Sequence, residues 1–246
     1  MVNILSIQDG EPFITSNGII FRQPTIEDIK FMGESIYLTW VYTWLNEPRD
    51  VIHELWVKGI DDSKITKDEL FIDFVKSNKV FFINVLAHFT NINNANIEYI
   101  DEFELECIVF TIEDSDEIKI LEPTVFDEIC EFLEVIHFHK HKTRRYFKSE
   151  ADRKYILDYE IEEKRRSVKS NMDKRQTYMS SLKQSLVIYN ARDWEYVKNL
   201  TVYQLFAEAY GINRLEESKR LYQGVYAGTV DFNKVDKKGL DWINNN

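Results

Sequence analysis

Glycine and proline are scarce in this chain, at eight and four in 246 residues, which argues against a loop-rich sandwich or a low-complexity chain. Only two cysteines occur, Cys107 and Cys130, far apart and each beside apolar neighbours. A disulfide framework needs more of them, and a reactive thiolate needs adjacent positive charge that neither local sequence supplies. Both are expected to be buried, reduced hydrophobes. No apolar run approaches the ~20 residues of a membrane span. Residues 1–6 lack the charged and apolar regions of a signal peptide, so none is expected. Glycine-rich phosphate loops, a Gly-x-Ser-x-Gly elbow and a His-Glu-x-x-His pair are all missing. Among 42 acidic residues a pair of carboxylates carries no information. These absences leave no case for an enzyme, a cofactor or a small-molecule substrate.

What is present is an acidic, aromatic-rich globular composition: 44% hydrophobic, 14% aromatic, net charge −11. That charge disfavours nonspecific binding to nucleic acid or anionic lipid. The sign is unevenly spread. Residues 101–134 carry thirteen acids against the single Lys119, whereas bases outnumber acids about two to one over residues 140–183. The two regions read as solvated faces that partly pair with each other, or as a bipolar surface for charged partners.

The pattern along the chain predicts an α+β protein, predominantly α-helical, with a small N-terminal β segment and a central β-hairpin. Short strands are expected over residues 3–22, around the turns Asp9-Gly10 and Asn17-Gly18. Thr25 caps a helix whose inward face holds Ile26, Ile29, Gly33, Ile36, Tyr37, Trp40 and Trp44, stopped at Pro48. A short helix over 51–57 ends at Gly59. Thr66 and Glu69 form a capping box opening a core helix that runs to Phe89. Residues 91–96 read as a polar turn. A hairpin spans 105–121 with an acidic tip at 113–117, and a helix from Pro123 turns Phe126, Ile129, Cys130, Phe132, Leu133 and Ile136 inward.

Residues 139–150 are basic and polar, and divide the chain into an N-terminal α+β domain (1–138), a linker (139–150) and a C-terminal helical domain (151–246). Residues 151–172 form a charged helix with a thin seam of Tyr155, Ile156, Tyr159, Ile161 and Val168. Another helix follows over 178–189. Then come two amphipathic helices broken at Gly211.

Three stretches invite a chemical reading. His137, His139 and His141 alternate, and His137 with His141 has the i,i+4 spacing of zinc ligands. No motif places a third ligand, and histidine at a helix C-terminus complements the dipole unaided, so no metal is expected. The acidic turn 113–117 lacks the glycine and distal glutamate of a calcium loop. The basic, aromatic stretch 140–155 could meet phosphates, but a solvated linker or a contact with the chain's own acidic region accounts for it, and nucleic acid is not an expected partner.

Two terminal stretches and a central one carry a family resemblance. Ile19-Ile-Phe-Arg-Gln-Pro-Thr-Ile-Glu-Asp-Ile29 leads to Gly33-Glu34, and Leu200-Thr-Val-Tyr-Gln-Leu-Phe206 leads through Tyr226-Ala-Gly228 and residues 231–235 to Asp241-Trp242. Between them lies Phe126-Asp-Glu-Ile129 at a hairpin-to-helix junction. Together these resemble tail-assembly chaperones and related baseplate-assembly proteins of tailed bacteriophages from Gram-positive hosts.

The resemblance implies non-enzymatic work in the host cytoplasm: coating the tape-measure protein, keeping it soluble and assisting tail-tube assembly. A structural tail or baseplate component retained in the virion, or a phage protein that meets a host or defence protein, are the alternatives. The expected partners are the tape-measure protein or other tail proteins, and a homo-oligomer is compatible. Trp194, Tyr203, Phe206, Tyr210 and Tyr222 are the expected partner-binding residues, as the exposed part of the C-terminal helical pair.

Overall fold

The computed structural model describes residues 2–100, 105–112, 117–143, 145–170, 178–190, 193–231 and 233. Eleven helices and two small antiparallel sheets fill these residues, the mainly helical α+β fold that the sequence indicates. Helix α1 (Ile4–Gln8) stands where strand was expected; the Asn3 side chain caps it by accepting the Leu5 amide. The N-terminal hairpin follows, with β1 (Phe13–Ile14) antiparallel to β2 (Ile20–Phe21) around a turn in which Gly18 sits at φ +86.

Helix α2 (Ile26–Met32) starts as predicted: the Thr25 hydroxyl accepts the Asp28 amide, and the Asp28 carboxylate accepts the Thr25 amide. The single helix expected through Trp44 is two. Gly33, at φ +100 and ψ 124, ends α2 and starts α3 (Glu34–Leu45), a backbone geometry closed to most side chains. The bend keeps Tyr37, Trp40 and Trp44 buried and leaves Ile36, read as inward, exposed.

Helix α4 (Ile52–Val57) ends before Gly59. The Thr66–Glu69 capping box opens α5 (Lys67–Ser77). The long helix expected from there to Phe89 breaks at Asn78 and resumes as α6 (Lys79–Phe89). The Asn78 side chain donates to the Phe74 carbonyl at 3.1 Å, the local competition with backbone pairing that makes asparagine a helix breaker.

Strand β3 (Ile92–Ile100) begins where a polar turn was expected and pairs with β4 (Leu105–Ile112), which in turn pairs with β5 (Ile118–Ile120). The central hairpin is thus a three-stranded meander. Residues 113–116 of its acidic tip lie outside the described residues.

Helix α7 (Pro123–His137) buries all six side chains predicted to face inward. Burial pushes the Cys130 thiol up to about 12; it stays protonated and donates to the Trp44 carbonyl at 3.2 Å. The side chain of Cys107 falls outside the described residues.

The basic segment after α7 is tied down by ion pairs. His141 meets Glu134 of the acidic region and Asp50, Arg145 meets Glu160, and the Lys142 ammonium donates to the Asp50 carbonyl, while Arg153 in the helix that follows meets Asp61 and Asp62. Helix α8 (Glu150–Ser170) docks on α4 through one buried leucine, Leu157, and a polar clasp: His53 to Glu160 at 2.7 Å and the Trp56 indole N–H to Asp158 at 2.9 Å. Tyr155 and Tyr159 of the expected seam are exposed. The side chain of Val168 is outside the described residues.

Helix α9 (Tyr178–Asn190) precedes α10 (Trp194–Asn199) and α11 (Val202–Tyr226). The break in the C-terminal pair falls at Thr201 and not at Gly211. Thr201 forms a capping box with Gln204. The junction is pinned to the N-terminal half: the Val202 amide donates to the Pro24 carbonyl and the Ile26 amide to the Leu200 carbonyl, both at 3.0 Å. Gly211 lies inside α11 with open space around its Cα.

The core is dense in aromatics. Trp44 packs against Phe71, Phe82 and Phe126 with ring centroids 4.6, 5.5 and 5.8 Å away. Buried side chains from both sides of residues 139–150 join one cluster, Trp44 and Ile136 with Val197, Val202 and Leu205. Among the described residues no helix is long and apolar enough to cross a membrane.

Candidate functional site

A groove of about 570 Å³ lies where α3, the end of α7, α9 and α11 meet, within the ~300–1,000 Å³ range of ligand pockets. Helix α3 contributes Leu38, Val41, Tyr42 and Leu45; α9 contributes Met179 and Leu182; α11 contributes Phe206, Ala209, Tyr210 and Asn213. His137, Phe138, His139 and Lys140 form the rim where α7 ends.

Phe138 organises that rim. It is the C-cap of α7, held at φ 50 and ψ 36 in the left-handed region, where a bulky side chain costs about 1–2 kcal/mol. Its ring stacks on Tyr203 at 5.3 Å and lies 6.3 and 6.1 Å from Phe206 and Tyr210. Aromatic pairs of this kind are each worth about 0.5–1.5 kcal/mol, enough to hold the strained cap.

Beneath the rim His137 Nε2 and the Tyr37 hydroxyl are hydrogen-bonded at 2.8 Å. Burial, helped by nearby His139, pushes the His137 imidazole down to about 3, and burial raises the Tyr37 phenol well above its ordinary value. The pair is therefore neutral, as an apolar floor requires.

The structure brings some of the expected partner residues together and separates others. Phe206 and Tyr210 line the groove, and Tyr203 lies buried under Phe138. Trp194 is exposed on α10 with the Lys183 ammonium 5.5 Å from its ring, away from the groove lining. Tyr222 is exposed on α11, about three turns beyond Tyr210. Sequence reasoning missed Phe138, Leu38, Tyr42, Met179 and Leu182. The one available signal was an apolar residue directly after the helix-ending His137, where glycine is usual.

On the outer side of the same rim, the segment after α7 meets the turn after α3. His141 Nε2 lies 2.9 Å from Glu134 Oε1, and its Nδ1 lies 3.3 Å from Asp50 Oδ2 and 3.8 Å from Glu47 Oε1. The His139 ring stands edge-on to His141, centroids 4.9 Å apart, and its Nε2 is sealed from solvent without a hydrogen-bond partner. Asp50 is fixed by its neighbours: Oδ2 accepts the Glu47 amide at 3.0 Å and Oδ1 the Lys142 amide at 3.2 Å. Burial alone would raise the Asp50 carboxyl, but those amides and His141 hold it below the usual range.

A mainly helical α+β body with an apolar groove between four helix regions thus defines the class. Residues 170–246 match the family model of the YomV second domain, a phage-derived family, a similarity consistent with a phage protein. Helices α9, α10 and α11 lie in that stretch, so it supplies one wall of the groove. No curated protein and no solved structure matches the chain.

Proposed function

We propose that this chain is a non-enzymatic phage tail-assembly chaperone that takes an amphipathic helix of the tape-measure protein into the groove between α3, α7, α9 and α11. The observation that carries the reading is the groove itself, an apolar trough rimmed by Phe138 and Tyr210. Amphipathic helices bind such troughs by laying i, i+3, i+4 and i+7 anchors into them, and a long tape-measure helix exposes apolar stripes that aggregate unless covered. The phage-derived family match over residues 170–246 supports the setting. The acidic net charge of −11 adds solubility to such a complex.

The test is co-expression with the tape-measure protein of the same phage, followed by pull-down and size exclusion. The tape-measure protein should become soluble and co-elute. Leu182→Asp, at the partly buried groove wall, should abolish co-elution while circular dichroism stays native. A tape-measure protein that remains aggregated, or capture undiminished by Leu182→Asp, overturns the reading. Stoichiometric recovery of this chain from purified virions would replace it with a structural tail role.

A further inference from the structure

We propose that Asp50, His139 and His141, with Glu47, form a zinc site that clips the segment after α7 to the turn after α3. One donor atom from each of Asp50, His139 and His141 lies within 4.8 Å of the others. Tetrahedral zinc with bonds of about 2.0–2.1 Å separates its ligand atoms by about 3.3 Å. The His141 Nδ1 to Asp50 Oδ2 edge already has that length, 3.3 Å. The edges among these three residues need to shorten by at most about 1.5 Å to reach the tetrahedral separation, within reach of side-chain rotation.

The surroundings are those of a built site. His141 Nε2 faces Glu134 at 2.9 Å, the carboxylate–histidine arrangement that fixes the tautomer of a metal ligand and frees the opposite nitrogen. Nδ1 then faces the Asp50 carboxylate at 3.3 Å, so a cation, either a proton or a metal ion, lies between them. Asp50 is oriented by two backbone amides. Glu47 turns one oxygen to Arg49 at 2.5 Å and the other toward His141 at 3.8 Å; it stands just outside the three-residue cluster, and a side-chain rotation would bring it in as the fourth ligand. The unpartnered, sealed His139 Nε2 marks a ring whose polar capacity the protein leaves unused. Mixed imidazole and carboxylate donors favour zinc over magnesium or calcium, which demand oxygen. Two carboxylates and two neutral imidazoles balance a dication.

This site is independent of the groove reading, and its test reads metal binding alone. Full-length protein stripped with chelator is titrated with zinc chloride by calorimetry, with melting followed in parallel. One equivalent should bind saturably at micromolar or tighter Kd and raise Tm, while magnesium chloride does neither. His139→Gln and Asp50→Asn should each weaken binding at least tenfold, and Glu134→Gln, which disturbs only the orientation of His141, about 10–100-fold. Cobalt chloride should give the intense visible absorption of a tetrahedral site, lost in His139→Gln. Circular dichroism of His139→Gln, a partly buried position, separates loss of ligand from loss of fold. Absence of saturable zinc binding by the wild-type chain overturns the proposal: the cation between His141 and Asp50 is then a proton. Variants that bind zinc as tightly as wild type overturn it as well, since the ion then sits elsewhere.

Discussion

Two glycines in this chain should respond to alanine with opposite signs. Gly33 joins α2 to α3 at φ +100 and ψ 124. An added Cβ there would meet only Ile36 Cδ1 at 3.8 Å, so crowding is not the obstacle. The backbone is: an L-residue held in so sparsely populated a region costs about 1–3 kcal/mol. Gly211 lies within α11, and an added Cβ meets nothing within 4 Å. Alanine there recovers the helix-propensity penalty of glycine, about 0.8–1.0 kcal/mol. Gly33→Ala and Gly211→Ala should therefore differ by about 2–4 kcal/mol in unfolding free energy. Urea unfolding followed by tryptophan fluorescence reads this directly, because Trp40 and Trp44 are buried and report the core. If Gly211 were a break between two helices, as its sequence context suggests, alanine there would destabilise. That outcome, or a neutral Gly33→Ala, refutes the assignment of the two breaks.

Phe138→Gly relieves a left-handed backbone strain of about 1–2 kcal/mol while losing contacts of similar size with Tyr203, Phe206 and Tyr210; Tm should move by only a few degrees, whereas capture of the tape-measure protein should be lost. Arg153→Met removes ion pairs to Asp61, Asp62 and Glu150 and the guanidinium packing on Trp56 and Phe147. It should cost about 1–3 kcal/mol, and limited proteolysis should then cut faster near the start of α8. Burial alone would raise the Asp28 carboxyl, but the Thr25 amide and hydroxyl, with the charges of Arg22 and His88, hold it below 3.8. A carboxyl depressed on folding contributes stability that is present above its unfolded value and lost as pH falls through the folded one. Melting between pH 5 and 2 should show that loss for wild type and a shallower slope for Asp28→Asn, which should itself cost about 1 kcal/mol at neutral pH as a weakened cap.

The parts of this fold that were legible in the sequence are those decided by near neighbours. The Thr25 and Thr66 caps each rest on a carboxylate three residues away, and the buried face of α7 follows from period alone. Some of the misread parts, such as the breaks at Gly33 and Asn78, are local; others depend on distant chain. Residues 92–96 have the composition of a turn, yet Ala95 lies opposite Phe110, and pairing with an apolar strand overrides the propensity of asparagine. On α8 the expected seam of Tyr155, Ile156, Tyr159, Ile161 and Val168 has both tyrosines exposed and Ile156 and Ile161 partly buried, while the narrow contact with α4 buries Leu157. Thr201 won over Gly211 as the helix break through its capping box with Gln204, a local signal, reinforced from afar by the Pro24 carbonyl that accepts the Val202 amide. The candidate groove was the least legible feature, since Leu38, Phe138, Leu182 and Tyr210 come from four helix regions with no shared motif.

That dispersal bears on what the family match can carry. The matched stretch, residues 170–246, holds Met179, Leu182, Phe206 and Tyr210, while Leu38, Tyr42 and Phe138 come from outside it. Tyr203 makes the point at one residue: it is buried because Phe138 lies on it. Without the N-terminal half its ring would be open, as would the faces of Val202 and Leu205 that complete the shared core. The Pro24–Val202 and Ile26–Leu200 hydrogen bonds fix the angle at which α11 leaves that junction, and with it the distance from Phe206 and Tyr210 to α3. A groove assembled in this way belongs to the whole body. Chains that share only the C-terminal stretch keep one wall, and whether they keep the binding depends on what replaces α3 and Phe138.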